Sequence, residues 1–270
     1  PADYLVLPAA IREVEAVLTL VKKYNIPLIV LGNGSNVLVR DGGIRGLVLK
    51  FGPAMSYIRR DGTSIVAGAG TMLVSVSRYA AEQNLTGMEF AVGIPGSIGG
   101  AVFMNAGAYD GEMSRIVSRI TAVDKAGEVI EFSRDDCQFG YRYSIFQANN
   151  CTICEVALRL AAGVDTQIKD KMHEYTRKRE TKQPLGMPSA GSTFKRPAGH
   201  YAGTLIEQTD LKGFRIGGAQ VSEKHAGFII NAGDATAQDV LELISEVQRR
   251  VNEKFRVKLQ PEVRVIGEDI

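Results

Sequence analysis

Residues 93–109, GIPGSIGGAVFMNAGAY, constrain the fold of this chain more than any other stretch of its sequence. Five of these residues are glycines, Pro95 lies among them, and the polar side chains are few, chiefly Ser97 and Asn105. Glycine reaches backbone angles that other residues avoid, and it lets other atoms approach the main chain closely. Such a run can direct several backbone N–H groups into a concavity that binds an anion such as a pyrophosphate. The alternative is a tight, buried turn between two elements.

A second glycine-rich loop, GNGSN at residues 32–36, lies between two predicted buried strands at 26–31 and 37–39. It begins like the GxGxxG fingerprint of dinucleotide-binding proteins, but it lacks the third glycine and no helix is predicted after it. The sequence GAG at residues 68–70 does precede a predicted helix, yet Leu73 occupies the position of the third glycine. We therefore expect no Rossmann dinucleotide-binding fold.

Apolar periodicity predicts both helices and strands along the chain. Helices are expected at residues 8–24, 72–83, 165–182 and 201–209, and a last helix has an apolar stripe of Val240, Leu241, Ile244, Val247, Val251 and Phe255. Thr236 and Asp239 have the spacing of a capping box at the start of that helix. Further strands are expected at 44–50, at 56–67 with a turn at Asp61-Gly62, at 117–132 as a hairpin, and at 151–160, 225–231 and 255–265. A linker with two prolines at residues 183–188 predicts a domain boundary.

Charge and hydropathy argue against two classes of partner. The net charge of +2 is too small to indicate nucleic-acid binding by itself. No apolar run approaches the ~18–20 residues that span a bilayer. No secretory signal is visible in the sequence. We therefore expect a cytoplasmic protein that binds neither nucleic acid nor membrane.

Cys151 and Cys154 form a CxxC pair, a pattern that occurs in metal and redox sites. Here the pair lies in a predicted strand, in which residues three apart point to opposite faces. Cys137 is the remaining cysteine, so no second pair exists, and the three histidines lack the spacing of metal ligands. We expect reduced thiols and no metal site.

Six motifs then follow one another along nearly the whole chain: LGNGSNVLV, GIPGSIGGAVFMNAGAY, YRYSIF, PSAGSTFKRP, HAGFIIN and QPEVRVIG. Together they resemble the motifs of the UDP-N-acetylenolpyruvoylglucosamine reductase family, also called the UDP-N-acetylmuramate dehydrogenases, of bacterial peptidoglycan synthesis. The short spacing between YRYS and GSTF is similar to that of the second, shorter type of this family, which lacks an extra loop over the substrate.

The resemblance implies an α+β flavoprotein with a two-part FAD-binding region of the PCMH (vanillyl-alcohol-oxidase) type and a C-terminal α+β substrate domain. It implies FAD-binding subdomains at residues 1–50 and 51–182, a substrate-binding domain at 183–256, and a C-terminal strand at 257–270 that returns to the active site. Neutral glycine loops suit the FAD pyrophosphate because they offer short N–H contacts without side-chain bulk. The residues expected to bind FAD are Gly32, Asn33, Gly34, Ser35, Asn36, Gly93, Ile94, Pro95, Gly96, Ser97, Gly99, Gly100, Asn105, Ala106 and Gly107.

The family's reaction implies that NADPH reduces FAD and that a hydride then passes to the vinyl carbon of an enolpyruvyl UDP-sugar. Three residues match the family's catalytic positions. Arg142, in YRYSIF, would hold the substrate carboxylate and the developing enolate, because its planar fork meets a carboxylate with two hydrogen bonds. Ser192, in GSTF, would donate the proton, and Glu262, in PEV, would orient the substrate carboxylate.

Three further residues are expected in the substrate site by the same resemblance, namely Tyr141, Lys195 and Arg196. Arg196 departs from the family's pattern, which usually has asparagine at this position of the GSxFKNP motif. An arginine can still bind a diphosphate.

Other interpretations remain open from the residues alone. Arg142 could be stacked structurally among tyrosines, Ser192 could be a turn residue, and Glu262 could lie on a surface strand. A flavin oxidase of the same fold is one rival function, although no histidine lies near the glycine loops to tether FAD. An inactive nucleotide-binding module is the other, and the joint presence of the three candidates argues against it.

Overall fold

The computed structural model describes residues 1–269, and the chain divides into two compact units. The N-terminal unit comprises Ala2–Asn33 and Gly46–Arg177. The C-terminal unit comprises Pro1, Gly34–Arg45 and the chain from Lys178 onward. Residues 34–45 therefore belong with the C-terminal part of the chain, although the four-part division expected from the family stays a prediction.

The N-terminal unit contains a five-stranded sheet that is antiparallel throughout, in the order β11-β10-β12-β6-β5. Its strands are β5 (Ile58–Asp61), β6 (Ser64–Gly68), β10 (Val117–Val123), β11 (Val129–Ser133) and β12 (Thr152–Arg159). A three-stranded sheet has the order β1-β4-β2, with β1 at Ala2–Val6, β2 at Leu28–Leu31 and β4 at Ile44–Lys50. Two-residue strands form two further pairs, β7 (Leu85–Thr86) with β13 (Ala161–Ala162) and β8 (Gly107–Ala108) with β9 (Gly111–Glu112).

The helices of this unit are α1 (Ile11–Tyr24), α2 (Leu73–Glu82), α3 (Ile98–Phe103) and most of α4 (Asp165–Lys182). Apolar positions at helical spacing bury one face of each of the first two, such as Val14 and Leu18 in α1. The charged helix α4 buries little beyond Ile168, Met172 and Tyr175, in agreement with a largely solvated helix. The core of the unit lies between the five-stranded sheet and the helices, and its fully buried members include Leu49, Ile65, Leu73, Ile98, Met113, Ile120 and Leu158.

The C-terminal unit has a four-stranded antiparallel sheet in the order β14-β17-β16-β15. These strands are β14 (Ser189–Ser192), β15 (Arg215–Ile216), β16 (Ala219–Val221) and β17 (Phe228–Asn231). Helices α5 (Ala202–Glu207) and α6 (Ala237–Phe255) supply its core with Leu205, Ile206, Leu243, Ile244, Val247 and Val251. A separate parallel pair joins β3 (Val37–Val39) to β18 (Arg264–Ile266).

Helix α6 begins as the sequence predicts. Thr236 accepts a hydrogen bond from the backbone N–H of Asp239, and the Asp239 carboxylate accepts one from the N–H of Thr236, which completes the capping box. The carboxylate of Asp41 also accepts from the N–H groups of Ala237 (2.8 Å) and Gln238 (3.0 Å). A carboxylate at this end stabilises the helix because unpaired N–H groups and the positive end of the helix dipole meet there.

Four sequence predictions need correction. The strand expected at 255–265 is wrong, because α6 continues to Phe255, Arg256 ends it in a left-handed conformation, and β18 begins only at Arg264. In the apolar stripe of α6, Leu243 is fully buried, whereas Leu241 lies half-buried outside the core. The strand expected at 225–231 begins at Phe228, and the helix expected at 8–24 begins at Ile11. Strand β1 and helix α3 were not predicted.

No helix within the described residues combines the length and the apolar character that crossing a bilayer requires.

Candidate functional site

The glycine-rich segment of the N-terminal unit lies against the chain that leads into α2. The carbonyl of Gly96 accepts a hydrogen bond from Leu73 N–H (2.8 Å), and the N–H of Ile98 donates to Thr71 (2.8 Å). The N–H of Gly99 donates to the carbonyl of Ala69 (3.0 Å). A Cβ on Gly99 would lie only 2.9 Å from the Cβ of Ala69, so glycine is required there by close backbone approach.

The first glycine loop reaches the same segment through its first two residues. The side-chain amide of Asn33 donates to the carbonyl of Pro95 (2.6 Å), and a Cβ on Gly32 would clash with the hydroxyl of Ser97. Ser97 is buried and caps α3 by accepting from the N–H of Gly100 (3.4 Å). The rest of this loop, Gly34, Ser35 and Asn36, belongs to the C-terminal unit.

These loops have the properties that a flavin diphosphate requires. Neither residues 32–36 nor residues 93–100 include an acidic side chain, so nothing in them repels a phosphate. Gly32 packs against the Ser97 hydroxyl and Gly99 packs against Ala69, so these two glycines serve close packing within the protein. The residues present therefore fit a bound FAD.

Asn105 links the glycine-rich segment to the loop that carries Arg142. Its buried side-chain amide donates to the carbonyl of Gly140 (2.9 Å), and its side-chain oxygen accepts from the N–H of Ser114 (2.9 Å). Asn105 has φ +42°, a left-handed conformation that asparagine tolerates better than most residues. Its amide is thus used within the protein, whereas its expected contact with FAD stays a prediction.

Arg142 lies at the tip of a tight turn in which Gly140 and Tyr143 exchange backbone hydrogen bonds of 3.0 and 3.1 Å. Its backbone is left-handed, with φ +54°. The guanidinium donates from Nη2 to the carbonyl of Gly107 (3.1 Å) and lies 5.1 Å from the ring centroid of Tyr141, a cation–π distance. Tyr141 itself is half-exposed, at 51%.

In the C-terminal unit, Ser192 and Glu262 lie on neighbouring segments joined by backbone hydrogen bonds. The N–H of Glu262 donates to the carbonyl of Thr193 (2.8 Å), the residue directly after Ser192. Lys195 N–H donates to Gln260 (2.8 Å), so the two segments pair over several residues. The hydroxyl of Ser192 donates a long hydrogen bond, 3.4 Å, to the carbonyl of Phe194.

Asn36 joins the same arrangement. Its side-chain amide donates to the carbonyl of Glu262 (3.1 Å), and its own carbonyl accepts from the N–H of Arg264 (3.0 Å). Arg196 lies nearby in sequence, with its guanidinium 4.0 Å from the ring centroid of Tyr201, and both side chains are exposed. The structure thus brings Ser192, Glu262 and Asn36 into one part of the C-terminal unit.

Gln147, which follows YRYSIF directly, is not among the site residues predicted from the sequence. Its side-chain amide donates to the carbonyls of Phe103 (2.9 Å) and Arg142 (3.0 Å). The sequence offered one signal for such a role, a polar side chain directly after the apolar pair Ile145-Phe146.

The three cysteines are free thiols, and those of the CxxC pair have high pKa values. Burial raises the pKa of Cys154 to about 12 and also raises that of Cys151, so neither is a reactive thiolate at neutral pH. Within residues 1–269, no cluster of three or more His, Cys, Asp or Glu side chains is arranged to hold a metal ion. An open groove of about 420 Å³ on the C-terminal unit, between Phe214, Ile216 and Leu241, contains none of the predicted site residues.

Two family models match the chain. A model described as "FAD binding domain" matches residues 2–133, and one described as "UDP-N-acetylenolpyruvoylglucosamine reductase, C-terminal domain" matches residues 183–266. These matches confirm the expected fold class, an α+β chain in which an FAD-binding region is followed by a C-terminal domain of this family.

Similar proteins extend over the full chain. A UDP-N-acetylenolpyruvoylglucosamine reductase of Clostridium perfringens is 51% identical over 269 residues, which is 100% of this chain and 88% of the relative. A protein of the same name from Staphylococcus carnosus is 49% identical over 267 residues, which is 99% of this chain and 86% of the relative. The crystal structure of UDP-N-acetylenolpyruvylglucosamine reductase from Thermus caldophilus is 36% identical and aligns with a TM-score of 0.83 over 98% of this chain and 92% of that one. The chain therefore belongs to the UDP-N-acetylenolpyruvoylglucosamine reductase family.

Proposed function

We propose that this chain reduces the enolpyruvyl group of UDP-N-acetylenolpyruvoylglucosamine to give UDP-N-acetylmuramate, with FAD as cofactor and NADPH as hydride donor. The observation that carries this proposal is the similarity to a reductase named for that substrate, at 51% identity along the whole chain. The partner is a small UDP-sugar, and the reaction requires neither nucleic acid nor membrane. Cytoplasmic location, where NADPH and nucleotide sugars are found, is part of the proposal.

Bound FAD would supply the hydride chemistry, taking a hydride from NADPH and passing it to the terminal vinyl carbon of the substrate. The loops that would hold it are residues 32–36 and 93–100, with Asn105, Ala106 and Gly107 beside them. Their glycine-rich sequences and their lack of acidic side chains support this assignment. The division into FAD-binding subdomains at 1–50 and 51–182 and a substrate domain at 183–256 remains part of the proposal, as does the return of the C-terminal segment to the active site, although only Arg264–Ile266 in the described part of the strand expected at 257–270 is a strand.

Arg142 would hold the substrate carboxylate and the negative charge that develops beside it. When hydride adds to the terminal carbon, electron density moves to the neighbouring carbon and into the carboxylate. A guanidinium stabilises that charge because it remains protonated and presents parallel N–H donors. Its hydrogen bond to Gly107 and its position over Tyr141 fix the group before substrate arrives.

Ser192 would deliver the proton that completes the addition. A hydroxyl is a weak acid, but the carbanionic carbon is a strong base and the transfer spans only ~3 Å. The long hydrogen bond of the Ser192 hydroxyl to Phe194 leaves this proton weakly held, which supports the role. Glu262 would orient the carboxylate, and its backbone pairing with Thr193 supports a fixed position relative to Ser192.

Tyr141, Lys195 and Arg196 would bind the rest of the sugar nucleotide. Lys195 and Arg196 carry positive charge that suits a diphosphate. Arg196 is exposed and stacked on Tyr201, so its guanidinium is oriented while still accessible to a ligand.

An anaerobic absorbance experiment separates the two half-reactions. FAD-loaded protein is mixed first with NADPH, which bleaches the flavin band, and then with the sugar nucleotide, which restores it. In Ser192→Ala, we expect unchanged bleaching and a restoration at least ~100-fold slower, the usual loss for a transition-state contact. Ser189→Ala, an exposed serine on the same strand β14, is the matched control and should behave as the unsubstituted protein.

Three outcomes would overturn parts of this proposal. Full restoration in Ser192→Ala would remove the proton-donor role of Ser192. A flavin that returns only with oxygen would indicate an oxidase instead. A protein that takes up no added FAD would remove the assignment of the glycine loops.

A further inference from the structure

The backbone of Arg142 is held in an unfavourable conformation. A left-handed φ of +54° brings the Cβ of a non-glycine residue close to its own backbone, so it persists only where neighbours stabilise it. The turn alone offers the two backbone hydrogen bonds between Gly140 and Tyr143, which flank Arg142 without touching its own carbonyl. The contact at that carbonyl comes from Gln147.

The amide of Gln147 joins two carbonyls that belong to different elements. Its nitrogen donates to Arg142 at 3.0 Å and to Phe103 at 2.9 Å. A primary amide has two hydrogens, so both bonds can form at once. Met104 Sδ lies at 3.8 Å from the same nitrogen.

Phe103 is the last residue of α3, where helix carbonyls have no partner within the helix. Its carbonyl accepts from Gln147 and also from the hydroxyl of Ser144 (2.8 Å), which is fully buried. The turn that carries Arg142 is therefore attached to the end of the helix that Ser97 begins. On the other side of the turn, Asn105 binds the carbonyl of Gly140.

We propose that Gln147 is a positioning residue, which fixes the backbone of Arg142 against the C-terminal end of α3 and so sets the direction of its guanidinium. This inference rests on the proposed function, in which Arg142 binds the substrate carboxylate. The guanidinium contacts Gly107, only four residues beyond Phe103, so a shift of the Arg142 backbone relative to α3 would change that contact. A displacement of ~1 Å at a positioned group can cost ~100-fold in rate.

The test uses Gln147→Met in the full chain, because methionine has a similar length and cannot donate. We expect flavin bleaching by NADPH within about twofold of the unsubstituted protein, and restoration by the sugar nucleotide ~10–100-fold slower, with weaker substrate binding. Gln220→Met is the matched control, since the Gln220 amide also donates to a backbone carbonyl, that of Gly213 at 3.1 Å, but lies away from Arg142 in the C-terminal unit. Urea unfolding of both variants checks that each is folded.

A double-substitution cycle separates positioning from general damage. If Gln147 acts through Arg142, then Gln147→Met changes the restoration rate in the presence of Arg142 but not in an Arg142→Ala background. An equal loss in both backgrounds, or an unchanged restoration rate in Gln147→Met, would overturn the inference. If Arg142→Ala itself restores the flavin normally, the proposed role of Arg142 fails first, and that outcome is distinct from a failure of Gln147 alone.

Discussion

The two units hold their candidate site residues by different means. In the N-terminal unit, the turn that carries Arg142 is held by side-chain amides, those of Asn105 and Gln147, which donate to backbone carbonyls. Asn105 and Arg142 also have left-handed backbones. In the C-terminal unit, the segments of Ser192 and Glu262 are joined by backbone hydrogen bonds, such as those at Thr193 and Lys195, and one side-chain amide, that of Asn36, adds to them at the Glu262 carbonyl.

This difference predicts how the candidate residues of each unit respond to substitution. A backbone hydrogen bond survives most changes of side chain, whereas an amide that bonds a buried carbonyl is lost with a single substitution. The position of Arg142 should therefore depend on a few particular side chains, and that of Ser192 and Glu262 on the integrity of the sheet.

The largest effect is expected for Asn105→Ala. It leaves the buried Ser114 N–H without its partner, leaves the Gly140 carbonyl with the Tyr143 N–H alone, and places alanine at φ +42°, so we expect a loss of about 2–4 kcal/mol in the free energy of unfolding. Urea unfolding followed by circular dichroism measures it. Asn105→Gly is the matched control, because glycine loses the same two side-chain hydrogen bonds but adopts φ +42° without strain, so it should cost about 1 kcal/mol less than alanine. An unchanged midpoint in Asn105→Ala would break the contrast.

Gly99→Ala should cost about 1–3 kcal/mol, because the new methyl group would lie 2.9 Å from the Cβ of Ala69 and 3.1 Å from its carbonyl. The control is Gly100→Ala in the same helix, where the nearest atom to the new Cβ is Ser97 Oγ at 3.4 Å. Unfolding of flavin-free protein compares the two variants. Equal losses in both would mean that helix α3 does not pack against Ala69 as described.

Thr193→Val should lower the free energy of unfolding by about 1–2 kcal/mol while the rate of flavin restoration stays within about threefold. The substitution removes the hydroxyl that accepts from the buried N–H of Ile229 (3.1 Å) and keeps both backbone bonds of Thr193. Urea unfolding and anaerobic stopped-flow absorbance measure the two quantities. A tenfold loss of rate would show that side-chain contacts, and not only backbone hydrogen bonds, position Ser192 and Glu262.

The smallest effect is expected from pH at His225. Burial lowers the pKa of His225 in the folded protein, so the folded state favours the neutral imidazole. Stability is then complete above the unfolded pKa of ~6.5 and decreases as pH falls below it, because the unfolded state binds the proton more readily. The urea midpoint should fall between pH 7.5 and 5.5.

His225→Asn should reduce that fall, because asparagine offers an acceptor for the Gly227 N–H, bonded to Nδ1 at 3.0 Å, without titrating. The exposed His200, substituted in the same way, is the control and should leave the pH dependence unchanged. An identical pH dependence in His225→Asn and the unsubstituted protein would contradict the assignment.

Local features of the fold could be predicted from the sequence because their causes are local. The hairpin at Asp61-Gly62 and the capping box of Thr236 and Asp239 each depend on residues a few positions apart, and the structure contains both. Helix α3 is not predicted because Gly99 and Gly100 disfavour helices. Ser97, a good N-cap residue, was the signal in the sequence that a helix begins there. Apolar and polar residues alternate over 255–265, a pattern that favours a strand. In the structure, only Arg264–Ile266 forms one.

The parts of the site that depend on distant residues could not be predicted. Nothing in the sequence near Asn105 indicates that its amide reaches Gly140, 35 positions away. Likewise, the bond from Asn36 to Glu262 joins residues separated by 226 positions. The motifs identified candidate residues, whereas the hydrogen bonds that position them follow from packing.

The parallel pairing of β3 with β18 has a consequence for synthesis of the chain on the ribosome. Arg40, directly after β3, pairs with Asp269, which lies 229 positions later. At the usual ~5–20 residues per second, the first segment waits roughly 11–46 s for its partner to be translated. During that interval strand β3, within residues 34–45, lacks its partner strand β18. Residues 46–177 can meanwhile pack around their own core. The C-terminal unit of a nascent chain is therefore completed only after residues 264–269 have been translated, well after residues 46–177.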